Sequence, residues 1–233
     1  VSAAAEYGAQ FRSDVAAFLD ADWIERATVA GRAELPPREY VSYHAFADPS
    51  GGSRDAFTLS IAHEETDGTL IVDVIRAVRP PFDPSAVVDE YAALLKTYGC
   101  HQVIGDRYAG QWVVEAFGKA GISYQHSERS KSEIYLEALP LFAQGRVQLP
   151  DHRVLIVELL QLERQTARGG RDSVDHPRGG HDDHGNAVCG ALVLLAKGNS
   201  LSVDELETIT AINNATPTTA STIGTPGTIF GTG

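Results

Sequence analysis

Methionine is absent from all 233 residues. The opening Val1-Ser2-Ala3-Ala4-Ala5 does not read as a domain start, so the expectation is a piece of a longer protein. Cysteine is scarce. Cys100 and Cys189 are the only two, too few for a disulfide framework and without metal-binding spacing, and both sit among apolar residues as buried thiols would. No apolar run approaches the length of a membrane span and no signal peptide opens the chain, so no membrane partner is expected. Positive charge is short as well. Nineteen Lys and Arg stand against 31 Asp and Glu, a net charge of −12. That excludes a general electrostatic grip on nucleic acid, which requires a basic face. A site that gathers carboxylates around divalent cations stays compatible with it. A phosphate loop of the form Gly-x-x-x-x-Gly-Lys-[Ser/Thr] is missing too: Gly118-Lys119 is followed by Ala120 and lacks the earlier glycine.

What is present is a soluble, globular composition, 43% hydrophobic and 21% charged, enough for one substantial core. Phe11, Val15 and Phe18 recur at helical spacing and predict a helix over 5–19. Residues 20–40 read as a connector ending at Pro36-Pro37. Three strands follow, over 41–48, 56–63 and 70–78, the last two joined by the hairpin signal Thr66-Asp67-Gly68. Strands and helices then alternate. Asp83-Pro84 starts a helix as N-cap and first residue, and Gly99 stops it. A strand is expected over 102–105, a helix over 111–119, a strand over 122–126 and a helix from the capping box of Ser130 and Glu133 to about Ala143. A helix over 154–162 precedes a Gly- and Arg-rich loop, 164–180, with room for a hairpin. The apolar run 187–196 predicts a helix buried on most sides. From 198 to 233 the chain is a Thr-, Gly- and Pro-rich tail without a core of its own. Three antiparallel strands followed by parallel ones, with helices on both faces, describe an α/β fold of ribonuclease H-like architecture over 41–197.

Acids fall where such a sheet can focus them. Asp48 ends the first strand and Asp106 follows the short strand Val103-Ile104-Gly105. Asp182 and Asp183 lie where the last helix begins. Ligand sites in such sheets sit at the carboxyl ends of strands. Phosphodiester cleavage needs an activated water and charge neutralisation, which two Mg²⁺ or Mn²⁺ ions about 3.5–4 Å apart supply from a carboxylate cage. Singly, each acid has a plainer reading: Asp48 as a turn residue before Pro-Ser-Gly-Gly, Asp106 as a loop ion pair with Arg107, and Asp182 or Asp183 as the N-cap of the last helix.

Several stretches occur together and in order: Asp48-Pro49-Ser50-Gly51-Gly52-Ser53-Arg54-Asp55, Pro80-Pro81-Phe82-Asp83-Pro84, Gly105-Asp106-Arg107-Tyr108-Ala109-Gly110, Lys131-Ser132-Glu133-Ile134-Tyr135, Gly169-Gly170-Arg171-Asp172 and His181-Asp182-Asp183-His184-Gly185-Asn186-Ala187. As a set, over roughly residues 40–197, they resemble the nuclease domain of the large terminase subunit of tailed bacteriophages. The resemblance implies a ribonuclease H-like fold and two-metal cleavage of double-stranded DNA. Asp48, Asp106 and Asp183 would be the Mg²⁺ or Mn²⁺ ligands, with Asp182 accessory. It also implies an ATPase domain ahead of residues 1–40, a small terminase subunit and a portal as partners, and a place in the host bacterial cytoplasm at the procapsid portal. Arg107, Lys131, Arg168 and Arg171, with Arg164, are candidates for DNA phosphates, though a solvated loop or an ordinary capping turn accounts for them equally. His176, His181 and His184 read as solvent-facing, and Trp23 and Trp112 as packing residues. A junction resolvase or integrase, and a non-catalytic docking module, are the alternatives.

Overall fold

The computed structural model describes residues 15–53, 55–166 and 172–198. The chain divides into two units, 1–197 and 198–233. The tail lies outside the described residues, as do Arg54, Arg168 and Arg171.

The elements run β1 (Val15–Ala17), α1 (Ala21–Ala27), β2 (Thr28–Val29), β3 (Tyr43–Asp48), β4 (Phe57–Glu64), β5 (Leu70–Val78), α2 (Pro84–Thr97), β6 (Gln102–Gly105) and α3 (Gln111–Lys119), and continue with β7 (Ser123–His126), α4 (Lys131–Ala143), β8 (Val147–Pro150), α5 (Arg153–Gln161), β9 (Glu163–Thr166), β10 (Asp172–Asp175) and α6 (Asp183–Gly198). Seven strands form one mixed sheet in the order β2-β8-β5-β4-β3-β6-β7. β3, β4 and β5 pair antiparallel, while β6 and β7 extend the β3 side in parallel and β8 and β2 the β5 side. This is the ribonuclease H-like mixed sheet expected from the sequence.

The central strand β4 shows why the sheet is covered on both faces. Phe57, Leu59 and Ile61 enter one core with α2 and α3, and Ala62 enters the other with α4, α5 and α6. Side chains alternate across a strand, so a strand buried throughout serves two layers. The helix starts follow local chemistry. The Asp83 side chain accepts from Ser85 N–H at 3.0 Å with Pro84 in the first turn of α2. Ser130 and Glu133 form the capping box of α4.

Three expectations need correction. Val15–Ala17 is a strand, not the end of a helix. It pairs antiparallel with β9, while Phe18 N–H donates to Leu162 O at 2.9 Å and the Phe18 ring enters the core. Pairing with a partner almost 150 residues away outweighs local periodicity; Phe11 lies outside the described residues. The stretch 20–40 is also more than a connector, since it contains α1 and the edge strand β2, which reaches the sheet through β8. β8 was not expected at all. Four residues ending in Pro150 are too short for periodicity to show, and its pairing to β5 comes from tertiary packing.

At the end of β4 away from Phe57, His63 and Asp73 are fully buried and joined by a 2.7 Å hydrogen bond. Arg38 and Glu65 close over the other ring nitrogen. Burial is the largest influence on His63 and opposes its charge, but the hydrogen bond and charge of Asp73 together with the bond to Glu65 outweigh it and hold the pKa above the ordinary 6.5. The charged pair therefore stabilises the fold fully below 6.5 and less as pH rises through the raised value. Asp73→Asn should cost about 3 kcal/mol in urea unfolding, the scale for breaking a buried pair. The gap to wild type should shrink at alkaline pH; a gap independent of pH contradicts the charged pair.

α6 lies so close to β3 that a methyl group on Gly190 would fall on the Phe46 ring. Gly190→Ala should cost about 1–3 kcal/mol as overpacking, read as a lowered urea midpoint at unchanged slope.

Candidate metal centre

β3 and β6 run parallel side by side, with Phe46 opposite Ile104 and Ala47 opposite Gly105. Both end at the same edge, and Asp106 N–H donates to Ala47 O at 3.1 Å. Asp48 and Asp106 therefore leave the sheet as neighbours. Gly105 permits this approach, because a Cβ there would meet Ala47 O and the Tyr124 hydroxyl.

Asp183 reaches the same place from α6. Its side chain accepts from Ala56 N–H at 3.2 Å, and its carbonyl accepts from the Thr58 hydroxyl at 2.8 Å. Thr58 is the residue paired with Asp48 across β3 and β4. One turn along α6, Asn186 Nδ2 donates to Asp48 Oδ2 at 2.9 Å. Asp48, Asp106, Asp182, Asp183 and Asn186 line one open cleft of about 810 Å³. All four acids singled out in the sequence thus line this cleft, but among the described residues the donors that lie within 4.8 Å of one another are Asp175, His176 and Asp182, and of the four acids only Asp182 belongs to that group.

The two adjacent aspartates have different surroundings. Asp182 is buried, and its carboxylate takes the Tyr135 hydroxyl at 2.8 Å and Lys131 Nζ at 3.0 Å. Lys131 also bonds Asp175 at 2.9 Å. Burial works against the lysine charge, but Asp182 and Asp175 together raise its pKa. Donor atoms of Asp175, His176 and Asp182 lie within 4.8 Å of one another, and Lys131 supplies that group with an internal countercharge. Among the described residues Asp183 has no such cation; burial, opposed by the Ala56 N–H, leaves its pKa raised.

Neither aspartate side chain caps α6, contrary to the N-cap reading. Glu158 of α5 does so, its Oε2 accepting from His184 N–H at 2.8 Å and Gly185 N–H at 2.9 Å. Oε1 meets His184 Nδ1 at 2.8 Å. His184 is consequently buried rather than solvent-facing. Glu158 is 25 residues from Asp183 on another helix, and nothing local in the sequence marks it. Asn186 was within reach of the sequence, since an i, i+3 step from Asp183 shares a helix face. His181 is exposed beside Asp55, and His176 is half-buried beside Asp182. Of the basic candidates, Lys131 lines the cleft; Arg107 is exposed and turns to Glu128 O at 3.4 Å. Arg164 pairs with Asp172 across the β9–β10 hairpin. Trp23 packs against the core, and Trp112 is half-exposed with its edge to Phe57.

The donor set fits a hard divalent cation. Burial, partly offset by Asn186 and reinforced by Asp106, Asp183 and Asp182, pushes the Asp48 pKa up to about 8. Asn186 Oδ1 is buried without a hydrogen-bond partner. Oxygen ligands crowded until one takes up a proton are the arrangement that Mg²⁺, Mn²⁺ or Ca²⁺ relieves.

No protein-family model and no curated protein sequence matches the chain. Solved structures do. The large terminase nuclease from thermophilic phage G20c is 19% identical with a TM-score of 0.64, covering 75% of this chain and 96% of its own. The HK97 bacteriophage large terminase is 18% identical with a TM-score of 0.62, over 77% of this chain; this chain spans 44% of that one. A variant nuclease domain of the large terminase subunit of bacterial virus Sf6, with manganese and beta-thujaplicinol, is 14% identical with a TM-score of 0.57, over 76% and 98%. The chain has the ribonuclease H-like fold of these phage terminase nuclease domains.

Because its folded pKa is raised, Asp48 destabilises the cation-free protein progressively as pH climbs from 3.8 to about 8. Asp48→Asn should raise the Tm in EDTA at neutral pH by a few degrees, with no gain at pH below 3.8. Mn²⁺ binding to wild type should release a proton near neutral pH, seen as buffer-dependent heats in calorimetry. Buffer-independent heats contradict a protonated Asp48.

Proposed function

We propose that this protein is a divalent-metal-dependent DNA endonuclease of the terminase large-subunit type. Its work would be to cut concatemeric double-stranded DNA at the start and end of phage genome packaging. The convergence of Asp48, Asp106 and Asp183, from two strand ends and a helix start, onto one cleft carries this reading. The shared fold supports it, as do the metal ions bound to other nucleases of that fold, manganese in Sf6 and magnesium in G20c.

Asp48, Asp106 and Asp183 hold the metal, and two Mg²⁺ or Mn²⁺ ions, when bound, would supply an activated water and neutralise the leaving oxygen. Asn186 fixes the Asp48 carboxylate. Tyr135 and Lys131 take up the Asp182 charge, making Asp182 a support for its neighbour. Lys131 lies at the cleft wall, placed to meet a phosphate. No stretch of the sequence resembles a base-reading helix, and cleavage is expected to show little sequence preference. In the full motor the partners would be an ATPase domain ahead of this one, a small terminase subunit and a portal, in the host bacterial cytoplasm at the procapsid.

Plasmid nicking and linearisation in Mn²⁺ test the reading. Loss of an outer residue that orients a ligand costs roughly 10–100-fold, and that is the expected effect of Asn186→Ala. Asp48→Asn should cost more than this range. Full activity of Asp48→Asn refutes the metal-centre assignment.

A further inference from the structure

A second groove, of about 610 Å³, lies on the far side of Asp183. It shares Ala56, Gly180, His181 and Asp183 with the carboxylate cleft, so the two are continuous past that aspartate. Its walls come from the end of β5, the outer face of α5 and the turn before α6. Its floor is apolar and includes Pro80, Val154 and Val157, the last 42% exposed.

Arg79 and Arg153 line it, and Arg178 is next to the lining residue Gly179. All three are exposed, and none has an ion pair or hydrogen bond among the described residues. Among the described residues Lys96 and Lys119 share that freedom, but they stand on α2 and α3, outside this groove. Arg38, Arg76, Arg129, Lys131, Arg146, Arg164 and Lys197 all sit on carboxylates. A chain with 31 acids for 19 Lys and Arg has partners to spare, yet it leaves these arginines unmatched around one groove. Arg153 is further placed against its own helix. It opens α5 behind the N-cap His152, where the helix dipole already presents positive charge and a cation is disfavoured. Both positive contributions favour an anion. The acids of the groove do not cancel them: Glu158 is turned inward onto the start of α6, and Asp183 belongs to the cleft.

We propose that this groove seats the sugar–phosphate backbone of DNA flanking the bond to be cut. Arg79 and Arg153 contact phosphates, and the Val154–Val157 face lies against deoxyribose. The inference rests on the endonuclease reading and extends it by assigning the strand a path past Asp183. Backbone contact of this kind positions the duplex without reading its bases.

The test compares the full chain with an Arg79→Ala/Arg153→Ala double variant. A control, Lys96→Ala/Lys119→Ala, removes the same charge from exposed positions on α2 and α3. Anisotropy of a fluorescein-labelled duplex in Ca²⁺ reads binding. Mn²⁺-dependent cleavage of that duplex, and of bis(p-nitrophenyl) phosphate, reads chemistry with and without flanking DNA. The groove variant should bind about 10-fold more weakly, and the slope of log affinity against log salt should fall by about 2, near 0.9 per lost phosphate contact. Duplex cleavage should fall at least about 10-fold more than hydrolysis of the small ester. Arg79→Lys/Arg153→Lys should recover most of the binding. Unchanged binding and slope overturn the proposal, as does equal weakening by the control. Equal loss on both substrates overturns it as well, since the arginines would then act through the carboxylate centre. Wild type that binds duplex but cuts neither substrate would defeat the nuclease reading alone, and the binding arm would still decide the groove.

Discussion

Mutual repulsion among carboxylates is the constraint around which this molecule is arranged. Asp48 is half-buried at the cleft; the lost hydration pushes its pKa up to about 8, and the neighbouring charges of Asp106, Asp183 and Asp182 add to that rise. Nothing about a free chain favours such a gathering. The sheet imposes it. Parallel pairing of β3 and β6 fixes Asp48 beside Asp106, with Gly105 allowing the approach. Antiparallel pairing of β3 and β4 puts Thr58 opposite Asp48, and Thr58 holds the main chain of Asp183. The energy that keeps the acids together is spread through two apolar cores, which reach the charges only at their edges through Tyr135 and Ala47.

The start of α6 carries the strictest demands. Its first N–H groups lack partners within the helix, and the aspartates beside them are turned elsewhere. Glu158 satisfies those donors from α5, and its Oε1 also holds the His184 ring. Asp182 and Asp183 are thereby released from capping. One faces Lys131 and Tyr135; the other faces the cleft. A side chain that capped the helix would have its carboxylate saturated by backbone donors and fewer lone pairs for a cation. Gly190 lets the helix press onto Phe46 and sets the depth at which all this happens.

Local rules with few alternatives made much of this legible beforehand. The capping box at Ser130 and the Asp83-Pro84 start placed α4 and α2, and β5, β6 and α3 fell where pattern put them. The acids stood out because each followed a strand or opened a helix, and α/β sheets collect ligands at those points. What stayed hidden depends on contacts between distant segments. β1, β2 and β8 exist through partners far along the chain. The role of Glu158 depends on α5 meeting α6. The inward turn of His184 follows from the same contact, and composition alone assigns such a residue to solvent.

Net charge looks at odds with a DNA substrate, and the distribution of charge resolves the conflict. Repulsion between an acidic chain and a polyanion is screened beyond about 8 Å at physiological salt. Approach therefore depends on what lies within that distance of the bond to be cut. Metal ions in the cleft would offset the carboxylates there. Beside it, Arg79, Arg153 and Arg178 have no ion pair among the described residues, so their positive field is not offset by an adjoining carboxylate. Elsewhere among the described residues Arg38, Arg76, Arg129, Arg146 and Lys197 are held by neighbouring carboxylates, while Lys96 and Lys119 stand free on α2 and α3, away from the cleft. Attraction confined to one continuous pair of grooves gives a weak overall hold but a defined place of contact. On the proposed reading, a nuclease that cuts only at intervals would gain from that balance, since a uniformly basic face would grip every turn of duplex passing it.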